Sequence, residues 1–573
     1  MKYKIKSPLP QSRYIAIEAS KHVEQAGPLD FQLSSWRPGR YELGNFAKNV
    51  RGLKATSGNG AELSIHKIAK DRWRIEEAAV GEVILSYEYF AAQPDAGACW
   101  TDDQLLYVNP VHCMIYDANR LDEECTVHLL SHSDWQSACA LPEQSENVLH
   151  AKDVHELLDS PFFAAKALHH RSYSVNDYVF HIWLYGEARP DWNKILHDFE
   201  AFTKVQLEMM QAFPVPEFHF WSSYFLSHFT MVWSILQVLC LALGPGYKLM
   251  QKEMYTDLLG VASHELFHAW NVKTLRPKDF VVYDYTRENY SRLGWVYEGF
   301  TTYYGDLFLA RSGYFNTDEF FSEINQRLQR HFDNYGRYNS SVAESSFDTW
   351  LDGYVPGAPA RKTSIYDEGC LIALLLDLYI RRSSDGKHAL DDLFKQLYHD
   401  FAPGGKGYRE SDVLRLAISY SDAGVEKIFD KCIHSRSGYE SMLQELLPYA
   451  GCWVNTKPSR FIHEQWFGFR IIVENGISKV GTVLPGSPAE IEGLAKDDEI
   501  ISCNGWKVEG NLSELCGLSE GKCELMIFSQ RRQKNIRLEK SSKRWLDTVG
   551  LSKIQDADHF ARQAFTGWTG MPW

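Results

Sequence analysis

The residues best suited to chemistry are His264, Glu265 and His268, in the run Leu258-Leu259-Gly260-Val261-Ala262-Ser263-His264-Glu265-Leu266-Phe267-His268-Ala269-Trp270. The run reads as helix, and a spacing of four puts both imidazoles on one face, one turn apart. Two nitrogens so placed reach one ion. Glu265 lies about 100° around the helix, near an open coordination position, where a carboxylate takes a proton from an attacking water. Zinc suits this work because it is redox-inert and brings the pKa of a bound water toward ~7. The H-E-x-x-H pattern is short and also arises by chance, so the reading needs a third protein ligand. Glu298 supplies one, thirty residues after His268, within Trp295-Val296-Tyr297-Glu298-Gly299-Phe300-Thr301-Thr302-Tyr303-Tyr304. The competing reading is a solvated surface glutamate. Its apolar and aromatic neighbours oppose that, since a carboxylate among them needs a strong partner such as a metal. One Zn2+ per chain is the implied cofactor.

The elements around this centre point to a multidomain α+β protein. With 573 residues, the chain exceeds one hydrophobic core. Residues 1–188 alternate in short runs, such as Tyr14-Ile15-Ala16-Ile17-Glu18 and Val83-Ile84-Leu85-Ser86-Tyr87-Glu88-Tyr89, which predicts an N-terminal β-sandwich-like domain. Residues 189–455 are expected to be mainly helical and catalytic, with an apolar helix from Leu371 to Arg382 and a long loop over 335–362. Residues 462–540 return to short strands with glycine turns, and 541–573 form a C-terminal tail with a helix expected from Ala557 to Phe565.

The two metal segments together carry a resemblance. W-x-x-E-G-F after H-E-x-x-H looks like the gluzincin peptidases, whose catalytic domain is thermolysin-like. The longer run H-E-L-F-H-A-W-N-V-K-T-L-R-P, His264 to Pro277, resembles the glycyl aminopeptidase family, zinc peptidases with a C-terminal PDZ domain. Trp36-Arg37-Pro38-Gly39-Arg40-Tyr41 looks like that family's W-x-P-G-x-Y signature, and is expected to be a structural turn rather than chemistry. Ser364-Ile365-Tyr366-Asp367-Glu368-Gly369 stands where related gluzincins have Y-x-K-G, so the resemblance implies Tyr366 as the oxyanion partner. Glu368 stands where lysine is usual. A buried structural tyrosine is the alternative reading of Tyr366. What the resemblance implies is a zinc aminopeptidase acting on peptides, with small N-terminal residues (Gly or Ala) preferred.

One segment departs from that pattern. The family has G-x-E-H upstream of the metal motif, resembling the aminopeptidase segment whose glutamate holds the substrate's amine. Here Met231-Val232-Trp233-Ser234-Ile235-Leu236-Gln237-Val238-Leu239-Cys240 has neither Gly nor Glu. Codons for Met231 to Leu236, read one base earlier, permit Gly, Leu, Glu and His in that order. The reading is a paired frameshift over about ten codons, set against true divergence into an apolar helix. The residues that bind the amine near Met231–Ile235 are therefore unknown, and a zinc endopeptidase stays open as an alternative.

Downstream, Trp466-Phe467-Gly468-Phe469 resembles the carboxylate-binding loop of PDZ domains, and Pro485-Gly486-Ser487-Pro488-Ala489-Glu490 with Asn504-Gly505 matches the PDZ core in order. The resemblance implies capture of peptide C-termini by strand addition. An impaired peptidase kept as such a binding module is the third reading. A net charge of −14 argues against nucleic-acid or anionic-membrane surfaces. Eleven cysteines without a C-x-x-C pair, and no apolar leader, lead to an expected cytoplasmic location. The nearly uncharged run 224–244 is expected to be buried rather than transmembrane.

Overall fold

The computed structural model describes residues 1–573 except 94–96, 131–133, 146, 225–228, 235–237 and 356; the side chains of 224, 229–234 and 243 are not described either. The N-terminal region is built on an eight-stranded sheet, with Lys2–Lys6 between Cys125–Leu130 (parallel) and Tyr14–Val23 (antiparallel). Along Tyr14–Val23 buried and less buried positions alternate strictly, as a strand with one face on a core requires. Two four-stranded sheets complete this layered β region.

A five-stranded sheet follows. Its order is His169–Val175, Tyr178–Gly186, Glu217–Tyr224, Val238–Gly244, Phe229–Ser234. The second strand runs parallel to the third and the third to the fourth, with the helix Trp192–Met210 crossing between the first parallel pair. The hairpin 169–186 was expected in the N-terminal domain, with a boundary at 188. Its hydrogen bonds instead join it to the sheet of the following domain. The mainly helical reading of 189–455 likewise did not include the strands of 217–244. Apolar periodicity alone does not separate a buried strand from a buried helix. No helix among the described residues is long and apolar enough to cross a membrane.

The helical part centres on Ile365–Ser383, buried over almost its whole length. It begins earlier than Leu371, at the Ser364 cap, whose side chain accepts from the Asp367 N–H. The segment expected as a loop over 335–362 carries two short helices, Val342–Phe347 and Thr349–Asp352. The first is fixed by a capping box between Ser341 and Glu344.

Residues 462–539 form a small β-rich module with its own apolar core, built on Phe467, Phe469, Val480, Ile500, Leu525 and Ile527. It is inserted between Cys452–Pro458 and Asp547–Lys553, which pair as an antiparallel ribbon. The last residues are not a loose tail. The helix His559–Thr569 docks on the helical region, where the buried Trp568 donates its indole N–H to the Tyr303 hydroxyl at 2.8 Å. The cysteines are all free.

Candidate metal centre and active site

The helix Lys252–Phe267 carries His264 and Glu265, and His268 caps its C-terminal end. The two imidazole rings lie 4.7 Å apart, nearly perpendicular. Glu298 occupies the junction between two helices, Gly294–Tyr297 and Gly299–Arg311. Its Oε2 is 3.3 Å from Nε2 of His268 and 3.8 Å from Nε2 of His264. Two ligands of one zinc at ordinary bond lengths and tetrahedral angles stand roughly 3.3–3.5 Å apart. The donor set, its spacing and its burial therefore fit one such ion.

Glycine makes this assembly possible. A Cβ on Gly305 would lie 3.1 Å from that of His264, so a side chain there would press the Gly299–Arg311 helix a few tenths of an ångström off the metal-site helix. A Cβ on Gly299 would stand 2.3 Å from Cα of Gly369. At that crossing the helix that bears Tyr366 meets the one that follows Glu298.

The surrounding contacts aim two of the three candidate ligands, His268 and Glu298. The His268 Nδ1–H donates to the Asn271 carbonyl at 3.0 Å, which leaves Nε2 toward the metal position. The amide of Asn271 donates to the Val296 carbonyl and to the Thr301 hydroxyl, both at 3.0 Å. One asparagine thus couples the two metal segments. Glu298 Oε1 accepts from the Tyr41 hydroxyl at 2.6 Å. Tyr41 belongs to the N-terminal run expected to be only a turn. The structure corrects that expectation, because this side chain touches a metal-site carboxylate 257 residues away in sequence. Burial, and then the Glu298 charge, push the Tyr41 hydroxyl well above the usual range, so it remains a donor.

The electrostatics suit a cation. Burial, and then the neighbouring His268, hold His264 well below the ordinary value for histidine, so it is neutral. Burial works most strongly against charge on His268, yet the Glu298 and Glu265 carboxylates and the Asn271 carbonyl together outweigh it and the pKa rises. The pocket carries a negative field that a divalent ion would answer.

Tyr366 is partly exposed at a cleft of about 650 Å³ that it lines with His264, Glu265, Thr302 and Arg330. Its hydroxyl lies 3.4 Å from that of Tyr354, which donates to the Gly39 carbonyl at 3.2 Å. Burial, and then the Glu298 charge, keep the Tyr366 hydroxyl protonated. The turn that carries it is held by Asp367, which accepts from Arg327 at 3.2 Å and Arg330 at 3.0 Å. Glu368, the residue at odds with the usual lysine, turns away from the metal position. It is buried and accepts from Tyr439 and pairs with His331.

The segment expected to bind an amine forms part of the edge strand Phe229–Ser234, antiparallel to Val238–Gly244, not a helix. Ile235 to Gln237, and the side chains of 231–234, lie outside the described residues. In the C-terminal module, Trp466 and Phe467 end the short helix Ile462–Phe467, Gly468 takes a left-handed φ of 74°, and Phe469 opens an edge strand. Phe467 and Phe469 are fully buried. Trp545 packs over Gly468, where a Cβ would come within 3.1 Å of its indole.

Sequence reading missed Tyr41, Asn271 and Tyr354 as parts of this site. Asn271 lay inside the motif that carried the resemblance, and Tyr41 inside another. Tyr354 has no local signal.

Comparison with known proteins identifies two matching regions. Residues 2–166 match the Peptidase M61 N-terminal domain, and residues 257–372 match the M61 glycyl aminopeptidase domain. The first ends just before the 169–186 hairpin, in accord with the sheet topology. No curated protein matches the sequence. Among solved structures, the chain resembles an aminopeptidase N family protein from Idiomarina loihiensis, at 23% identity and a TM-score of 0.90, over 99% of each chain. That likeness shows a shared fold. An M1 zinc metallopeptidase from Deinococcus radiodurans aligns at 14% identity over 76% of this chain and 94% of the other, with a TM-score of 0.45.

Proposed function

We propose that this chain, which carries the two M61 domains, is a zinc-dependent aminopeptidase that removes small residues such as Gly or Ala from peptide N-termini. The observation that carries the reading is the convergence of His264, His268 and Glu298, with donor atoms within 4.8 Å of one another, at the wall of the cleft lined by Glu265 and Tyr366. The M61 glycyl aminopeptidase match over 257–372 supports the same class.

Zinc held by these three residues would polarise the scissile carbonyl and acidify a water toward ~7. Glu265 takes the proton of the attacking water and returns it to the leaving amine. The protonated hydroxyl of Tyr366 donates to the carbonyl oxygen as negative charge develops there. Tyr41 and Asn271 hold Glu298 and His268 in place.

A second cleft, of about 370 Å³, shares Arg330, Ser364 and Asp367 with the first and reaches Arg470 and Thr482 of the C-terminal module. The module's edge strand Phe469–Glu474 exposes Ile472 and Val473. We read it as a PDZ domain that pairs with peptide C-termini at the far end of the substrate path.

The test is hydrolysis of Gly- and Ala-anilides against N-blocked peptides, with zinc measured in wild type and in His264→Ala. Turnover of the free-amine substrates, and loss of catalytic zinc in the variant, support the proposal. Cleavage of blocked peptides alone would replace it with the endopeptidase reading, which the absence of Glu from 231–240 favours. A protein with no zinc at the triad and no turnover would be a binding module.

A further inference from the structure

A second cluster of metal-binding side chains lies on the five-stranded sheet. The strands Tyr178–Gly186 and Glu217–Tyr224 are parallel, with His181 opposite His219 and Val179 opposite Glu217. Successive strand residues alternate faces, so His181, Glu217 and His219 stand on one face. His170 joins them from the antiparallel neighbour, where it is paired with Trp183. Phe218 and Phe220 point to the other face, where Phe220 packs edge-on against Phe199.

The ligating atoms of His181, Glu217 and His219 lie within 4.8 Å of one another, as do those of the catalytic triad. Nε2 of His181 is 3.6 Å from Oε2 of Glu217. That is too long for a hydrogen bond, and His181 Nε2 is buried without such a partner among the described residues. The separation falls inside the range of 3.3–3.8 Å found between Glu298 and the two catalytic histidines. The other nitrogen of His181 lies 3.0 Å from Nε2 of His170. With Nδ1–H donating there, the free lone pair of His181 is on Nε2, facing Glu217, which is the outer-contact pattern of metal-bound histidines.

We propose that His181, Glu217 and His219 form a second divalent metal site of the zinc class, separate from the catalytic centre, with His170 as its outer contact. Two imidazoles and a carboxylate favour zinc among biological divalent ions over calcium or magnesium. Burial, and then the neighbouring histidines, draw His219 down to about 3, and burial also lowers His170 and His181. Two features weaken the site: the His181 and His219 rings stack nearly parallel at 4.7 Å, so one must turn before both lone pairs meet at one ion, and an indole competes for His219. The Trp183 indole donates to Nδ1 of His219 at 3.1 Å, so the ring proton sits on Nε2. Binding through Nε2 moves that proton to Nδ1 and breaks the indole bond. The second ion is thus held less tightly than the first, and it clips two parallel strands together rather than serving catalysis.

Full-length protein, stripped with chelator and titrated with buffered Zn2+, tests this by metal count and by Co2+ absorption. Wild type is expected to take a second zinc after the catalytic one. His264→Ala should retain that second ion. Glu217→Gln, at a largely exposed position, should weaken it by more than the roughly 10–100-fold that loss of an outer contact costs, as should His181→Asn, while anilide hydrolysis stays at the wild-type rate. Trp183→Phe should tighten it by removing the competitor for His219. Only one zinc in wild type at saturating Zn2+, or a second ion unaffected by Glu217→Gln and His181→Asn together, would overturn the proposal.

Discussion

Replacing Tyr41 with phenylalanine removes one oxygen atom, 2.6 Å from Oε1 of Glu298. The ring itself is kept, with its contacts to Tyr297 at 5.7 Å and Trp350 at 6.1 Å. The lost bond runs to a buried carboxylate, and hydrogen bonds to charged groups contribute ~1.5–3 kcal/mol. Outer contacts of metal ligands change affinity or activity by about 10–100-fold when removed. Tyr41→Phe is therefore expected to raise the catalytic zinc Kd by roughly that factor in a chelator competition, and to lower kcat/KM at limiting zinc. Excess zinc should restore most of the activity, because no group that touches substrate has changed. Tyr366→Phe provides the contrast. It should leave the zinc Kd unchanged and lower kcat by about 10²–10³-fold, as loss of an oxyanion donor does. A Tyr41→Phe protein with wild-type zinc affinity and activity would refute the role assigned to the N-terminal region.

Three further outcomes are expected. Gly369→Ala puts a Cβ 2.6 Å from Cα of Gly299 and 2.8 Å from the Trp295 carbonyl. Backbone cannot yield cheaply, so a loss of ~1–3 kcal/mol should lower Tm and weaken zinc binding together, and unchanged melting would contradict the close crossing. His463 is buried, and burial lowers it to about 4. Its folded pKa lies below the unfolded value of about 6.5, so its contribution is complete above that pH. It is lost as pH falls from 6.5 toward 4, by up to ~3 kcal/mol, and melts of His463→Gln at pH 7 and pH 4.5 should show a flatter acid dependence than wild type. Rebuilding the segment as Val232→Gly, Trp233→Leu, Ser234→Glu and Ile235→His should raise hydrolysis of free-amine anilides by about 10–100-fold, the worth of a charge-assisted bond to an amine. No gain would mark the segment as true divergence.

The metal motif was legible from sequence because helix geometry is local. A spacing of four already places His264 and His268 together, and the aromatic surroundings of Glu298 already signalled a buried carboxylate. Strand alternation marked the N-terminal layers for the same reason. The domain edge near 166–169 was not legible, since the 169–186 hairpin looks alike whichever sheet it joins. Its partner is chosen by hydrogen bonds to Glu217–Tyr224, far along the chain. The direction of Glu368 was equally hidden, and packing against His331 and Tyr439 turned it away from the metal position. Tyr41 shows the division most plainly. Its local pattern is that of a turn, and its hydroxyl acquires a function only when folding carries it to Glu298. Local pattern brings His264 and His268 together and marks Glu298 as a candidate, whereas the groups that orient them come from long-range packing, which no short stretch of sequence encodes.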